Sequence, residues 1–464
     1  MSPENSRVRV RIAPSPTGKL HLGTVRTALF NFLFARHHNG DFLIRIEDTD
    51  KERSKKEYEH NIIDNLKWLG IESDDHIIHQ SERGDIYKRY LEKLLNQNKA
   101  YYCYCTKEEL EAEKEALITA GLPPKYNGRC ASQKPQEAGD ASSQLIRLRV
   151  PQKKIVVKDM IRGNVTFDSS LIGDIPIAKN LDTPLFHFAV VVDDFEMKIS
   201  HVIRGEDHLT NTAKHILIGE SLEFNIPHYA HLPLLLAPQG GKLSKRDLET
   251  SFDDFRNQGY LKEALINFIA LLGWHPEKDR EVMSLDELIE EFDIKRVQKG
   301  GAAINIEKLD WLNAHYIRNK SVDELVLCLK GFIPQEWFDK NGLLRGALEL
   351  QKDRLKKLSL AKENLGFFFE LEEYEPELLI WKDNSEKETL DSLKKILDLV
   401  EDSFEKSFEK IVELAEKEGR GDIYWPLRVA LSGLKNSPPP IEIMKVLGEE
   451  ESIIRTRKAI KKLQ

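Results

Sequence analysis

Cysteine is scarce in this chain: four residues in 464, three of them gathered as Cys103, Cys105 and Cys130, with Cys328 apart. So few thiols in so long a chain exclude a disulfide framework and point to a reducing compartment. Long apolar runs are lacking too. The longest, such as Leu232-Pro-Leu-Leu-Leu-Ala237, fall far short of the ~20 residues of a membrane-spanning helix, and Met1–Arg7 carries no apolar leader-like core. A cytoplasmic protein is expected. Nor is there an excess of positive charge: 69 Lys and Arg against 77 Asp and Glu leave a net −8. That excludes a surface that coats nucleic acid indiscriminately, so a nucleic-acid partner must be met by local patches. No internal repeat is present, which excludes a solenoid.

What is there is ordinary for a globular protein, 41% apolar and 31% charged. The length exceeds the ~250–300 residues at which single cores stop growing, so several domains are expected. The stretch from Arg11 to Thr24, Arg11-Ile-Ala-Pro-Ser-Pro-Thr-Gly-Lys-Leu-His-Leu-Gly-Thr24, organises the rest. Before it, Val8, Val10 and Ile12 alternate with Arg7, Arg9 and Arg11 as in a strand. After it, Val25, Ala28, Leu29, Phe32 and Leu33 recur at helical spacing until Asn39-Gly40. A strand, a glycine-containing turn and a helix N-terminus make an anion site, with phosphate as the natural guest. Gly23 leaves room for a nucleotide base, and His21 is a donor that can follow charge developing on phosphate; a surface His on a plain turn is the competing reading.

Further along, Asp41–Glu47 reads as a second strand ending in the acidic cluster Glu47-Asp-Thr-Asp50, which is either a partner for a cationic substrate group or a solvated turn. Residues 54–100 read as helices around a loop at Ser73–Asp75. From 106 to about 180 the composition shifts to a charged helix, Gly/Pro-rich and polar loops and short β-like runs, an inserted module. Cys103, Cys105 and Cys130 have zinc-knuckle character, but the next candidate, Ser132, is a poor ligand, and no His lies between His79 and His187. Phe186–Val192 reads as a buried strand with Asp193-Asp194 as its turn, and Lys198–Ile203 as another strand. Arg204 then stands at a strand end, a candidate carboxylate clamp or a surface ion pair. The glycine-hinged Gln239-Gly-Gly241 precedes Lys242-Leu-Ser-Lys-Arg246, a basic loop able to close over a polyphosphate. From Leu261 on the pattern is helical, including one long helix over Asp391–Glu418. The tail Arg455–Lys462 is a basic patch or a solvated charged face.

Two short motifs in this order, with Arg45-Ile-Glu-Asp-Thr-Asp50, Val191-Val-Asp-Asp194 and Val202-Ile-Arg-Gly-Glu-Asp-His208 beside them, resemble the bacterial glutamyl-tRNA synthetases, class I aminoacyl-tRNA synthetases, over essentially the full length. The resemblance implies an α/β protein with a Rossmann-type catalytic domain in two halves (1–105 and 184–250), a connective insertion (106–183) for the tRNA acceptor end, a helical stem-contact region (251–320) and an all-helical anticodon-binding domain (321–464). It implies ATP-dependent activation of glutamate and transfer to tRNA-Glu, ATP with Mg²⁺, and a monomer; charging of tRNA-Gln as well, or an inactive RNA-binding paralogue, are the alternatives. By carry-over His21, Thr24, Lys242 and Lys245 are catalytic, and His21, Gly23, Glu206, Leu235 and Lys245 meet ATP. Arg11, Ala13, Ser15, Glu47, Phe186, Val190, Arg204 and His208 form the glutamate pocket, the arginines on carboxylates and Glu47 on the α-ammonium. Arg354 and Lys356 lie where relatives read the anticodon. Phe186 replaces a Tyr usual in the family, and Ser132 replaces the His of its zinc-bearing members.

Overall fold

The computed structural model describes residues 7–132, 145–237, 241 and 251–464. The chain forms two compact units, Met1–Asp254 with Leu265–Ile306, and Phe255–Ala264 with Glu307–Gln464.

In the first unit the strands are β1 (Arg9–Ile12), β2 (Asp41–Ile46), β3 (Ile78–His79), β4 (Ala100–Cys103), β5 (Leu145–Leu148) and β6 (Lys154–Asp159). They continue as β7 (Gly163–Asp168), β8 (Ile175–Asn180), β9 (Thr183–Pro184), β10 (His201–Gly205) and β11 (His228–Leu232). The main helices are α1 (Leu22–His37), α2 (Lys56–Trp68), α3 (Gly84–Asn96), α4 (Lys107–Thr119), α5 (Phe186–Glu196) and α6 (Leu209–Leu222). Strands β1, β2 and β3 are parallel neighbours, as are β10 and β11. Ser200 N–H donates to Arg9 O at 2.9 Å, which carries the layer across from β1 to β10. Asn31 of α1 donates to Ile203 O at 3.0 Å and pins the helix over that junction. The two parallel groups, β3-β2-β1 and β10-β11, thus meet edge to edge at β1 and β10, a doubly wound arrangement whose ligand crevice lies beyond the strand C-termini at that junction. Strands β6 and β7 form an antiparallel hairpin, β6 meeting β11 at Asp159 and Tyr229. Strands β4, β5, β8 and β9 form a separate antiparallel sheet.

Helix α1 buries Val25, Ala28, Leu29, Phe30, Leu33 and Phe34 around its circumference, so it is an internal helix. Its end matches the Asn-Gly signal, with Asn39 at φ 51° and Gly40 after it. The expected strand over Phe186–Val192 is instead helix α5, and Asp193 and Asp194 lie on that helix rather than in a turn. Phe188 through Asp194 are all buried, and a short run buried on every side has no period to separate strand from helix.

The second unit is helical throughout its described length. Leu344, Leu348, Leu365, Ile396, Ile411, Leu427 and Ile443 share one core. The single helix expected over Asp391–Glu418 is two, Glu386–Asp402 and Phe404–Glu418, broken where Ser403 is extended at φ −166° and ψ 112°. The tail is not a free basic patch. Arg455 is buried against the carbonyls of Phe367, Phe368 and Leu431, Arg457 pairs with Glu401, and Lys458 and Lys462 share Glu373. Arg354, closing the 3₁₀ turn Lys352–Arg354, and Lys356 just after it are exposed.

Candidate active site

The C-terminal ends of β1, β2 and β10 face a cavity of about 600 Å³. Its walls include Arg11, Ala13, Ser15, Glu47, Phe186 and Val190, and also His21, Gly23, Thr24, Arg204, His208 and Leu235. The structure therefore brings together most of the residues singled out from the sequence. Glu206 is not among the lining residues: it pairs with Arg162 and accepts from Leu234 N at 2.8 Å, bracing the chain after β11. Lys242 and Lys245 lie outside the described residues, and Arg354 and Lys356 belong to the other unit.

His21 caps α1, its Nδ1 accepting from Thr24 N–H at 3.3 Å and its Nε2 standing 3.0 Å from Thr24 Oγ1. A ring that accepts at Nδ1 carries its proton on Nε2. Burial lowers the His21 pKa, Asp207 opposing, so the ring is neutral near pH 7 and keeps a donor on its Nε2 edge. A Cβ at position 23 would stand 3.2 Å from His21 Nδ1, so the glycine first of all makes room for this ring.

Beneath the turn, charges are gathered in two ways. Asp194 accepts from Arg11 Nε at 3.0 Å and from Arg45 Nη1 at 2.7 Å, and Arg45 also reaches Glu47 at 3.2 Å. Asp193, wholly buried, accepts from Gln80 at 2.8 Å, Tyr87 at 2.8 Å and Arg83 at 2.7 Å. Burial works against Asp194, yet Arg11 and Arg45 hold its pKa below the usual value. Glu47 is the reverse case: burial outweighs Arg45 and Arg11 and raises its pKa, so an arriving ammonium would relieve it. Arg204, 7% exposed, meets no carboxylate among the described residues; its partners there are His231, His215, Thr212 and the carbonyl of His208. Burial pulls its pKa down to about 10. Among the described residues of this cluster, Arg11, Arg45 and Arg83 each pair with Asp193 or Asp194, and Arg204 does not. Arg26, also in the wall, bonds the carbonyls of Pro233 and Leu272 and is likewise lowered to about 10 by burial.

Sequence reasoning placed Arg11 on a substrate carboxylate; the structure gives two of its donors to Asp194. It missed Arg45, Asp193 and Asp194 as one network, for which the adjacent acids closing an apolar run were the available signal. It missed His215 and His231 altogether.

The three cysteines are buried with their sulfurs within 4.8 Å of one another. The fourth group at this centre is Tyr126, not Ser132: its hydroxyl is 3.4 Å from Cys105 Sγ, 3.6 Å from Cys103 Sγ, and accepts from Cys130 N–H at 3.0 Å. Arg129 Nε donates to Cys105 Sγ at 3.0 Å. Three sulfurs and one oxygen meet the donor count of a closed zinc site, with no position left open for catalysis.

Among known families, the catalytic domain of the class I tRNA synthetases (E and Q) matches residues 7–311, and an anticodon-binding domain matches residues 324–460. A glutamate–tRNA ligase of Thermoanaerobacter pseudethanolicus is 42% identical, with 99% of each chain covered. One from Carboxydothermus hydrogenoformans is 40% identical over 96% of this chain and 98% of its own. The crystal structure of a glutamate tRNA ligase from Elizabethkingia meningosepticum, in complex with its amino acid, superposes with a TM-score of 0.89 at 35% identity, covering 99% of this chain and 100% of that one.

Proposed function

The chain belongs to the class I tRNA synthetases (E and Q), and on that premise we propose that it is an ATP-dependent glutamate–tRNA ligase. The observation that carries the substrate is Arg204, a buried cation with neutral partners at the wall of a cavity that also presents a desolvated carboxylate, Glu47. An amino acid with a second carboxylate supplies the missing negative charge at the first and an ammonium at the second. Glutamine, with a neutral amide, would leave the guanidinium unmatched at a cost of a few kcal/mol.

In the proposed first step a glutamate carboxylate oxygen attacks the α-phosphorus of ATP, the bond to the bridging oxygen breaks, and pyrophosphate leaves. In the second, the terminal 2′-hydroxyl of tRNA attacks the acyl carbon, AMP departs, and the hydroxyl proton is released. Neither step needs an enzyme nucleophile, so positioning and charge stabilisation carry the rate. His21 Nε2–H, which faces Thr24 Oγ1 in the structure, and the N-terminus of α1 are assigned to the α-phosphate; Mg²⁺ comes with ATP, and Lys242 and Lys245 are assigned to the departing pyrophosphate. Arg204 takes a carboxylate, Glu47 the ammonium, and the donors Arg11 does not spend on Asp194, with Ser15, complete the pocket. Phe186 and Val190 close its apolar side. Zinc, where bound, would be held by Cys103, Cys105, Cys130 and Tyr126 and would staple the loop after α4 to β4; no reaction step passes through it. The domain limits at 105/106, 183/184, 250/251 and 320/321 belong to the same reading, with tRNA held by the insertion and by the helical unit around Arg354 and Lys356. No described helix is long and apolar enough to cross a membrane.

The test is charging of purified tRNA-Glu and tRNA-Gln with radiolabelled glutamate, alongside ATP–pyrophosphate exchange with tRNA present. Labelled tRNA-Glu is expected. Label on tRNA-Gln as well would define a broader tRNA range, and no exchange in any combination would replace the ligase with a catalytically silent RNA-binding protein.

A further inference from the structure

Arg204 is surrounded by acceptors that carry no charge, and the two rings among them each have a second partner that sets their tautomer. Nε donates to His231 Nε2 at 3.3 Å, Nη1 to His215 Nδ1 at 3.3 Å, and Nη2 to Thr212 Oγ1 at 2.7 Å and His208 O at 3.3 Å. On one side, His231 Nδ1 lies 2.6 Å from Asp159 Oδ2. The other Asp159 oxygen accepts from Ile161 N–H at 2.9 Å and Arg162 N–H at 2.7 Å, which fixes the carboxylate. A carboxylate accepts, so the His231 proton sits on Nδ1 and its Nε2 lone pair is turned to Arg204 and to the Thr212 hydroxyl 3.0 Å away, which itself accepts from Arg204 Nη2. On the other side a guanidinium can only donate, so His215 presents its lone pair at Nδ1 and carries its proton on Nε2, 3.1 Å from His187 Nδ1. Burial holds His187, His215 and His231 below the ordinary imidazole pKa, His187 at about 4. His215 and His231 are themselves fully enclosed.

We propose that the pairs His231–Asp159 and His215–His187 are positioning residues for glutamate recognition: they fix the plane of the Arg204 guanidinium while leaving its charge whole for the substrate. The inference rests on the glutamate reading above. A carboxylate in either place would hold the same geometry but would neutralise the cation, as Asp194 and Glu47 do for Arg45. A water would leave the charge but not the plane. Neutral imidazoles of fixed tautomer do both, because each has one acceptor for the arginine and one donor to be anchored by. With four of the five N–H groups held, one on Nη1 stays available to a ligand.

The experiment compares His215→Leu, His215→Gln and His215→Glu in the full chain, with KM for glutamate, KM for ATP and kcat measured in tRNA charging. His215→Leu removes the acceptor and is expected to raise the glutamate KM about tenfold or more with the ATP KM within about twofold. His215→Gln restores an acceptor carbonyl and a donor amide and is expected to recover most of that loss. His215→Glu keeps an acceptor but cancels the charge, and is expected to be worse than Leu. A second line is Asp159→Asn, which places an amide NH₂ opposite His231 Nδ1 and moves the ring proton to Nε2, against Arg204; it too is expected to raise the glutamate KM selectively. Equal values for the Leu and Gln variants, a Glu variant no worse than Leu, or parallel shifts in both KM values would overturn the proposal. Should the Leu variant not fold, the Gln-to-Glu contrast and Asp159→Asn decide alone. An unsubstituted chain that charges no tRNA with glutamate would overturn the ligase reading, whereas a charging chain with indifferent variants overturns the cradle by itself.

Discussion

Arg45 and Arg204 lie in the same unit, both buried, and are treated in opposite ways. Arg45 stands among Glu47, Asp193 and Asp194, at 3.2, 3.9 and 2.7 Å, and although burial is the largest single influence, Asp194, Asp193 and Glu47 together outweigh it and raise the pKa. Arg204 is given imidazoles, a hydroxyl and a carbonyl, and its pKa falls to about 10 because burial is not answered by a partner. The difference separates a strut from a receptor. A matched buried charge holds strand β2 to helix α5; an unmatched one stores an electrostatic demand that a ligand satisfies.

Replacing each by Met should therefore give opposite results. Arg204→Met is expected to lower kcat/KM for glutamate about 1,000-fold or more, equivalent to about 4 kcal/mol, while leaving the thermal midpoint unchanged or higher, since an uncompensated charge has been removed. Calorimetry and charging assays on one preparation read both. Arg45→Met strands Asp193, Asp194 and Glu47 in the interior and is expected to cost about 3–5 kcal/mol, roughly 10 °C in midpoint for a unit of this size. An Arg45 variant that keeps its midpoint, or an Arg204 variant that loses it, would collapse the distinction.

Much of this was legible in the residues. The turn from Arg11 to Thr24 announced itself through Pro, Gly and the change of period on either side, and Glu47 and Arg204 were readable as strand-end charges. Their difference was not, because it depends on what faces them from distant positions: Asp194 sits 149 residues from Arg45, and His231 sits 27 from Arg204. Helix α5 was misread because an apolar run buried on all sides carries no period, and with it went Asp193 and Asp194. Tyr126 was overlooked at the cysteine centre because a search by ligand spacing looks for His and Cys, and a phenol several residues before Cys130 reaches the sulfurs only through the fold of the loop.

Buried neutral imidazoles, one in the Arg204 cradle and one outside it, set an acid limit on the same unit. His187 and His201 are both lowered by burial to about 4, against about 6.5 in an unfolded chain. A folded pKa below the unfolded one means that the unfolded chain takes up protons first as pH falls. Stability is complete above pH ~6.5 and is lost progressively down to about 4. Both rings keep some solvent contact, so the loss should be roughly 1–2 kcal/mol apiece rather than the full shift. Denaturant titrations between pH 7 and 4 should show this slope, and His201→Phe, away from the cavity, should flatten part of it, since His21, His215 and His231 are lowered by burial as well. An unchanged slope in that variant would assign the acid limb elsewhere.

The smallest effect concerns an aromatic ring in the wall beside the receptor. Phe186, first residue of α5 and 38% exposed, lines the cavity with its ring 6.4 Å from His208 and 6.3 Å from His215. With Arg204 already carrying the charge and held on both sides, a hydroxyl added here supplies one hydrogen bond to a ligand in a partly wet site, worth about 0.5–1.5 kcal/mol. Phe186→Tyr is therefore expected to lower the glutamate KM by no more than about tenfold and to leave kcat near its starting value. A larger gain would mean that the receptor is incomplete without a phenol, so that the unmatched charge of Arg204 alone does not account for affinity. No gain, with the His215 variants behaving as expected, would leave recognition resting on that charge and the rings that keep it free.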